Sequence, residues 1–103
     1  MGTRAELQAY LQTIADTVNG RVYYQPPEDV KLSYPCIIYK RGLIESKHAN
    51  NKAYMYRTRY DVTLIDHDPD SAMIPLIVET ELADFSTHFT ADNLNHDVFT
   101  LYY

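Results

Sequence analysis

The stretch Tyr56-Arg57-Thr58-Arg59-Tyr60-Asp61-Val62-Thr63-Leu64, YRTRYDVTL, alternates without a break between two chemistries. Successive side chains on a strand point to opposite faces. Tyr56, Thr58, Tyr60, Val62 and Leu64 therefore share one face, and Arg57, Arg59, Asp61 and Thr63 share the other. A sustained period of two specifies a strand with one packed face and one face left to solvent or a partner. Upstream, Pro35 opens CIIYKRGLIES, in which Cys36, Ile37 and Ile38 are all apolar, so this run predicts a strand covered on both faces at its start. Between the two runs, KHANNKAY at 47–54 carries Asn50-Asn51 and reads as the tip of a long β-hairpin.

Working outward, Thr3-Arg4-Ala5-Glu6 has the form of a capping box. Leu7, Tyr10, Leu11, Ile14 and Val18 then make one apolar stripe, stopped by Asn19-Gly20, which predicts a helix over about 4–18. Arg21-Val22-Tyr23-Tyr24 predicts a brief strand. Pro26-Pro27 ends it and starts an extended loop over 25–34. Downstream, Pro75 suits the first turn of a second helix with Ile74, Ile77, Val78 and Leu82 inward, ending near Asp84. FSTHFTAD and HDVFTLYY are two more β-rich runs, with Asn93-Leu94-Asn95 as the expected connection. The predicted fold is α+β: a mostly antiparallel sheet carrying two helices, in the order α-β-β-β-α-β-β, with a long hairpin. With 103 residues and 46% apolar content, the chain predicts one domain, 1–103.

The net charge of −5 conceals a segregation. Residues 31–60 hold seven Lys or Arg against Glu45 alone, whereas 61–103 hold nine carboxylates and no Lys or Arg. Such blocks fit copies of the chain meeting head to tail, the basic hairpin of one against the acidic half of the next, which closes into a ring when the rotation permits. Exposed ion pairs contribute about 0.2–1 kcal/mol each, so charge sets the register while Tyr-rich area supplies most of the affinity. The blocks fit pairing within one chain equally well. No apolar run reaches the roughly 20 residues of a membrane span, and neither a secretion signal nor a myristoylation motif is expected at the N-terminus. Synthesis in the cytoplasm is the corresponding expectation.

Four patterns could carry chemistry. Asp66, Asp68 and Asp70 occupy the first three ligand positions of a calcium loop, but Ser71 stands where Gly is needed and Ile77 where a bidentate Glu is needed. A turn feeding a helix cap at Asp70 or Ser71 is the better reading. Cys36 with His48, His67, His88 or His96 could form a nucleophile and base, yet its apolar run marks a buried thiol. Asn93, Asn95, His96 and Asp97 are acid–base types placed where side chains bond a turn's own backbone. Arg57 and Arg59 among tyrosines resemble a single-strand nucleic-acid face, which the net acidity opposes. A strand face with cross-strand ion pairs, Arg59 to an acidic neighbour among them, accounts for the arginines instead. No cofactor and no metal are expected, and no enzyme.

Three segments carry a resemblance: VYYQPPEDVKLSYPCIIYKR, NNKAYMYRTRYDVTLIDHDPDSAMIP and the C-terminal FTADNLNHDVFTLYY. Together, and above all in YPCIIY, DPDSAMIP and ADNLNHDVF, the chain resembles the small tail-completion proteins of tailed bacteriophages, the tail terminators or neck proteins, from about Val22 to Tyr103. It departs from them at Phe85-Ser86-Thr87, where relatives tend to carry Asp-Arg after the Phe, so an interface role of that pair does not carry over with the resemblance. The resemblance implies a structural virion protein, not an enzyme. Such a protein forms a ring, usually a hexamer, that caps the head-proximal end of the tail tube, stops its polymerisation and joins the head connector. DNA crosses the lumen without specific binding. The neighbouring head-side stopper layer is the alternative within this class, and a small Cys/His hydrolase the alternative outside it. The candidate interface residues are Lys47, Lys52, Tyr54, Arg57 and Arg59 on the basic side, and Asp66, Asp68 and Asp70 on the acidic side.

Overall fold

A computed structural model describes residues 4–27, 29–49, 52–79 and 83–102, with the backbone path alone over 43–49 and 52–57. The elements are α1 (Arg4–Asp16), β1 (Arg21–Tyr24), β2 (Cys36–Ala49), β3 (Lys52–Asp66), α2 (Met73–Val78), β4 (Ala83–Ala91) and β5 (Leu94–Tyr102). This is the predicted α-β-β-β-α-β-β order. The strands form one five-stranded sheet in the order β1-β2-β3-β5-β4. The β1–β2 pair is parallel and the other pairs are antiparallel. No helix among the described residues is long and apolar enough to cross a membrane.

Both helices lie on one face. Leu7, Leu11, Ile14 and Ala15 of α1 and Met73 and Ile77 of α2 are buried with Ile37, Tyr39, Tyr60, Val62, Leu64, Phe99 and Leu101 of the sheet. The apolar stripe of α1 and the inward face of β3 are thus the two sides of one core, as their periods of 3.6 and 2 require. A smaller cluster of Cys36, Ile65 and Leu94 lies on the opposite face. Cys36 and Ile37 are both fully buried, one in each cluster, because β2 begins between β1 and β3 and is covered above and below.

The end of α1 departs from the predicted 4–18. The helix stops at Asp16, and a Schellman closure follows. The Gly20 N–H donates to the Ala15 carbonyl at 2.8 Å, that of Asn19 donates to Asp16 at 3.3 Å, and Asn19 takes the left-handed φ of 56°. The predicted stop signal at Asn19-Gly20 is therefore used, with the helix ending two residues short of the predicted 18. Gly20 is needed for a different reason, close approach: a Cβ there would lie 2.9 Å from the Pro35 carbonyl oxygen. The loop from Gln25 returns the chain to the start of β2, so that Arg21 pairs with Cys36. It is held by the Tyr23 hydroxyl, which accepts the Ser33 N–H at 3.1 Å, and it ends in a cis Tyr34–Pro35 peptide. The Thr3 half of the expected capping box lies outside the described residues.

Two further expectations are corrected. Helix α2 runs only from Met73 to Val78, and Asp84, its expected end, is already in β4. Val78 is 55% exposed rather than inward, because six residues make less than two turns and cannot turn a wide apolar face to the sheet; Leu82 lies outside the described residues. The β4–β5 connection is Asp92-Asn93, with φ of 53° and 63°, rather than 93–95. Positive φ at both central residues is the signature of a type I′ turn, whose twist matches that of the flanking strands. Replacing Gly20 by Ala should lower stability by about 1–3 kcal/mol, since the new methyl meets backbone that cannot step aside. Urea unfolding will read this as a lower midpoint at unchanged slope.

Candidate functional site

The strands of the hairpin outgrow the sheet. β2 has 14 residues and β3 has 15, but β1 covers only Cys36–Tyr39 of β2, and β5 covers only Arg59–Asp66 of β3. Beyond those points the two strands pair with each other alone, down to Ala49 opposite Lys52. The result is a two-stranded arm, 41–49 with 52–58, about 25 Å long at about 3.3 Å per residue. The chain measures 51 × 30 × 23 Å accordingly. A hairpin without further neighbours is marginal in water, so its root must be held.

The root is an aromatic clamp. Tyr24 and Tyr39 lie 4.8 Å apart between ring centroids, and Tyr39 and Tyr60 lie 5.9 Å apart. Helix α1 closes over them, with the Arg4 guanidinium 4.4 Å above the Tyr24 ring and Gln8 accepting the Tyr39 hydroxyl. Burial pushes the Tyr60 hydroxyl up, and Tyr24 and Tyr39 add to this against the opposing effect of Arg4 and Arg41. Just past the clamp, β2 carries a bulge between Arg41 and Ile44. Gly42 in that bulge leaves room for Arg59, whose Nε would lie 3.1 Å from a Cβ. Arg59 pairs with Asp61 at 3.8 Å. The expected cross-strand ion pair is thus a pair along one strand, residues i and i+2 sharing a face.

The other end of β3 is acidic. Asp66 Oδ1 accepts the Asp68 N–H at 3.1 Å, Asp68 Oδ1 accepts the Asp70 N–H at 2.9 Å, and Ser71 Oγ accepts the Met73 N–H at 3.3 Å. IDHDPDS is therefore a chain of side-chain-closed turns, which is the architectural reading. The N-cap position is Ala72, without a side-chain cap, in place of the expected Asp70 or Ser71. Asn95 Nδ2 ties the turn to the sheet by donating to the His67 carbonyl at 3.2 Å, and exposed Asp92 stands at the same end. Arg21, which opens β1, lies there too, with no ion pair to these carboxylates among the described residues.

The candidate residues thus fall into two separated groups. Lys47, Lys52, Tyr54 and Arg57 have their backbone on the arm, and their side chains lie outside the described residues. Arg59 is at the arm's root, and Asp66, Asp68 and Asp70 are at the far end of the same strand. Lys52 and Asp66 terminate β3, which puts them about 45 Å apart at about 3.3 Å per residue. Against a screening length of about 8 Å at physiological ionic strength, they cannot pair within one chain.

Sequence reasoning missed one pair. His88 Nδ1 lies 2.7 Å from the carboxylate of buried Asp97. Asp97 was expected to bond its own turn, and the correction follows from the turn's position. A two-residue connection at 92–93 sets His88 opposite Asp97 and Phe89 opposite His96, whereas a turn at 93–95 does not. The Phe89 and His96 rings stack at 4.5 Å. Among the described residues no hydroxyl or thiol bonds to the His88 ring, where a triad would place its nucleophile. Cys36 pairs with Ile65, and Ile65 with His96. The backbones of Cys36 and His96 are therefore two strand spacings, about 9–10 Å, apart. Compared with models of known protein families and with curated proteins, the chain matches none.

Burial pushes the Cys36 thiol from the ordinary 9.0 up to about 12. The unfolded chain thus releases a proton near pH 9 that the folded chain keeps. Stability should be at full value below pH 9 and fall as pH rises from 9 towards 12, with Tyr60 acting in the same direction. Urea unfolding at pH 8, 9.5 and 10.5 will show the decline, and Cys36→Ala should flatten part of it. A thiol reagent at pH 8 should label native protein orders of magnitude more slowly than unfolded protein.

Proposed function

We propose that the chain is a structural subunit of a phage neck, a tail terminator whose copies close into a ring on the head-proximal end of the tail tube. The observation that carries this reading is the basic arm projecting from the acidic body. Arg57 stands opposite Glu45 on the arm itself, but Lys47 and Lys52 lie towards its tip, far along the hairpin from the carboxylates after β3, and a neighbouring copy offers complementary charges. A contact between unlike patches is heterologous, and it closes into a ring when the rotation between subunits divides a full turn. The place of that ring and its partners, the tail tube, the head connector and DNA in transit, are what the sequence resemblance implies. Acidic surface towards the lumen would keep DNA moving, because phosphate is repelled rather than held. Nothing in the Cys36 or His88 geometry asks for a catalytic role.

The test is loss of the protein from a producing phage. Tails of unregulated length that fail to join heads are the expected result. Normal-length tails with leaking heads would move the chain to the stopper layer, and normal virions would contradict the proposal. In vitro, Lys52→Glu with Arg57→Glu reverses two arm charges without touching the core. Each lost pair is worth up to about 1 kcal/mol and each reversal adds repulsion, so self-association should weaken about tenfold or more. Light scattering after size exclusion will measure it, and an unchanged assembly at low salt would count against the charge argument.

A further inference from the structure

The arm needs somewhere to land, and β4 is the open side of the sheet. It is the terminal strand in the order β1-β2-β3-β5-β4, so among the described residues no strand pairs with its outer edge. Every residue from Asp84 to Ala91 is exposed. The opposite edge, β1, has four residues and is followed by Pro26-Pro27, whereas β4 has nine with neither Pro nor Lys. Natural sheets blunt long edges with those residues or by covering them. β4 carries neither Pro nor Lys, and its one irregularity, between Phe85 and Thr87, leaves the stretch from Thr87 to Ala91 open to a further strand.

Two aromatic rings flank this edge. Phe85, 57% exposed, packs edge-on against Phe99 at 5.4 Å on the helix-bearing face. Past the irregularity between Phe85 and Thr87, Phe89, 46% exposed, stacks on His96 on the opposite face. An added strand would therefore find an apolar shoulder above and below it. Asp84 near one end of β4 and Asp92 just past the other are the acidic residues along this line.

The arm fits the edge in three respects. Among the described residues its strands beyond the sheet, 41–49 and 52–58, pair as strands only with each other, the Arg41 N–H bonding the Gln25 side chain, and the first matches β4 in length at nine residues. It carries Arg41, Lys47, Lys52 and Arg57 against Glu45 alone, opposite in sign to Asp84 and Asp92. It is also a pair of strands, so its docking extends the sheet by main-chain hydrogen bonding, the mode by which an extended segment adds to an exposed edge. On the reading that copies assemble head to tail, we infer that the outer edge of β4 receives the arm of the adjacent copy, joining the sheets of neighbouring subunits.

Three measurements test this. Phe89→Lys and Thr87→Lys place the residue that blocks edge pairing on β4. Each should weaken self-association at least tenfold while circular dichroism of the monomer stays that of the parent, Thr87→Lys keeping the parent's unfolding as well. In a Cys36→Ala background, Thr87→Cys mixed with Lys47→Cys should yield a disulfide-linked heterodimer under mild oxidation. Thr87→Cys mixed with Thr13→Cys on the exposed face of α1 should not. Hydrogen exchange of the unaltered protein should show the outward-facing β4 amides, those not bonded to β5, protected on assembly and fast in the monomer. An unaltered protein that assembles, with β4 variants equally associated, β4 amides unprotected and no cross-link, overturns the docking site and leaves the ring standing. An unaltered protein that never assembles overturns both.

Discussion

One mismatch of length organises the molecule: β2 and β3 pair along almost their whole extent, yet the strands on either side cover less than two thirds of them. The surplus becomes an arm, and the arm fixes where the charges go. Basic residues of the middle third of the sequence are carried outwards on it, while the turn after β3 gathers carboxylates at the opposite end of the long axis. Because one strand joins the two groups, its rigidity keeps them apart. Lys47 and Lys52 near the arm's tip are thereby held far from the carboxylates that follow β3.

The rest of the fold serves the root of that arm. Tyr39 and Tyr60 are buried under α1 at the last point where the hairpin has a full sheet beside it, and Gly42 opens the bulge over which Arg59 lies. The Schellman closure of α1 brings Gly20 against Pro35 and so sets the start of β2. Cys36 and IDHDPDS, which carry the chemically suggestive side chains, are consumed in packing and turn closure. The tyrosines, which could have formed a nucleic-acid platform, are spent partly on the core.

The order of elements and the face of β3 were legible because a period of two in YRTRYDVTL and a period of 3.6 in α1 each permit one reading. Helix α2 was overextended because Val78 and Leu82 continue a helical stripe that carries no information about where the chain must turn into β4. The β4–β5 hairpin slipped by choosing Asn93-Leu94-Asn95 over Asp92-Asn93, although Asp-Asn with both residues at positive φ is the better type I′ pair. That slip concealed His88 opposite Asp97, since register alone creates the contact. The charge blocks were visible from the start. Their separation was not, because it depends on how far each neighbouring strand extends, a property of the whole sheet. The interface side chains Lys47, Lys52, Tyr54 and Arg57 could be assigned to the hairpin by pattern, but pattern does not say what they meet.

Sedimentation equilibrium of the unaltered protein, across concentration and ionic strength, tests most directly whether the two charged ends meet between molecules. The account predicts a closed assembly at low salt, with a mass that is a whole multiple of 12.0 kDa and stops growing with concentration, and that dissociates as salt is raised. A 12.0 kDa species alone under every condition, or growth without a plateau, would contradict it.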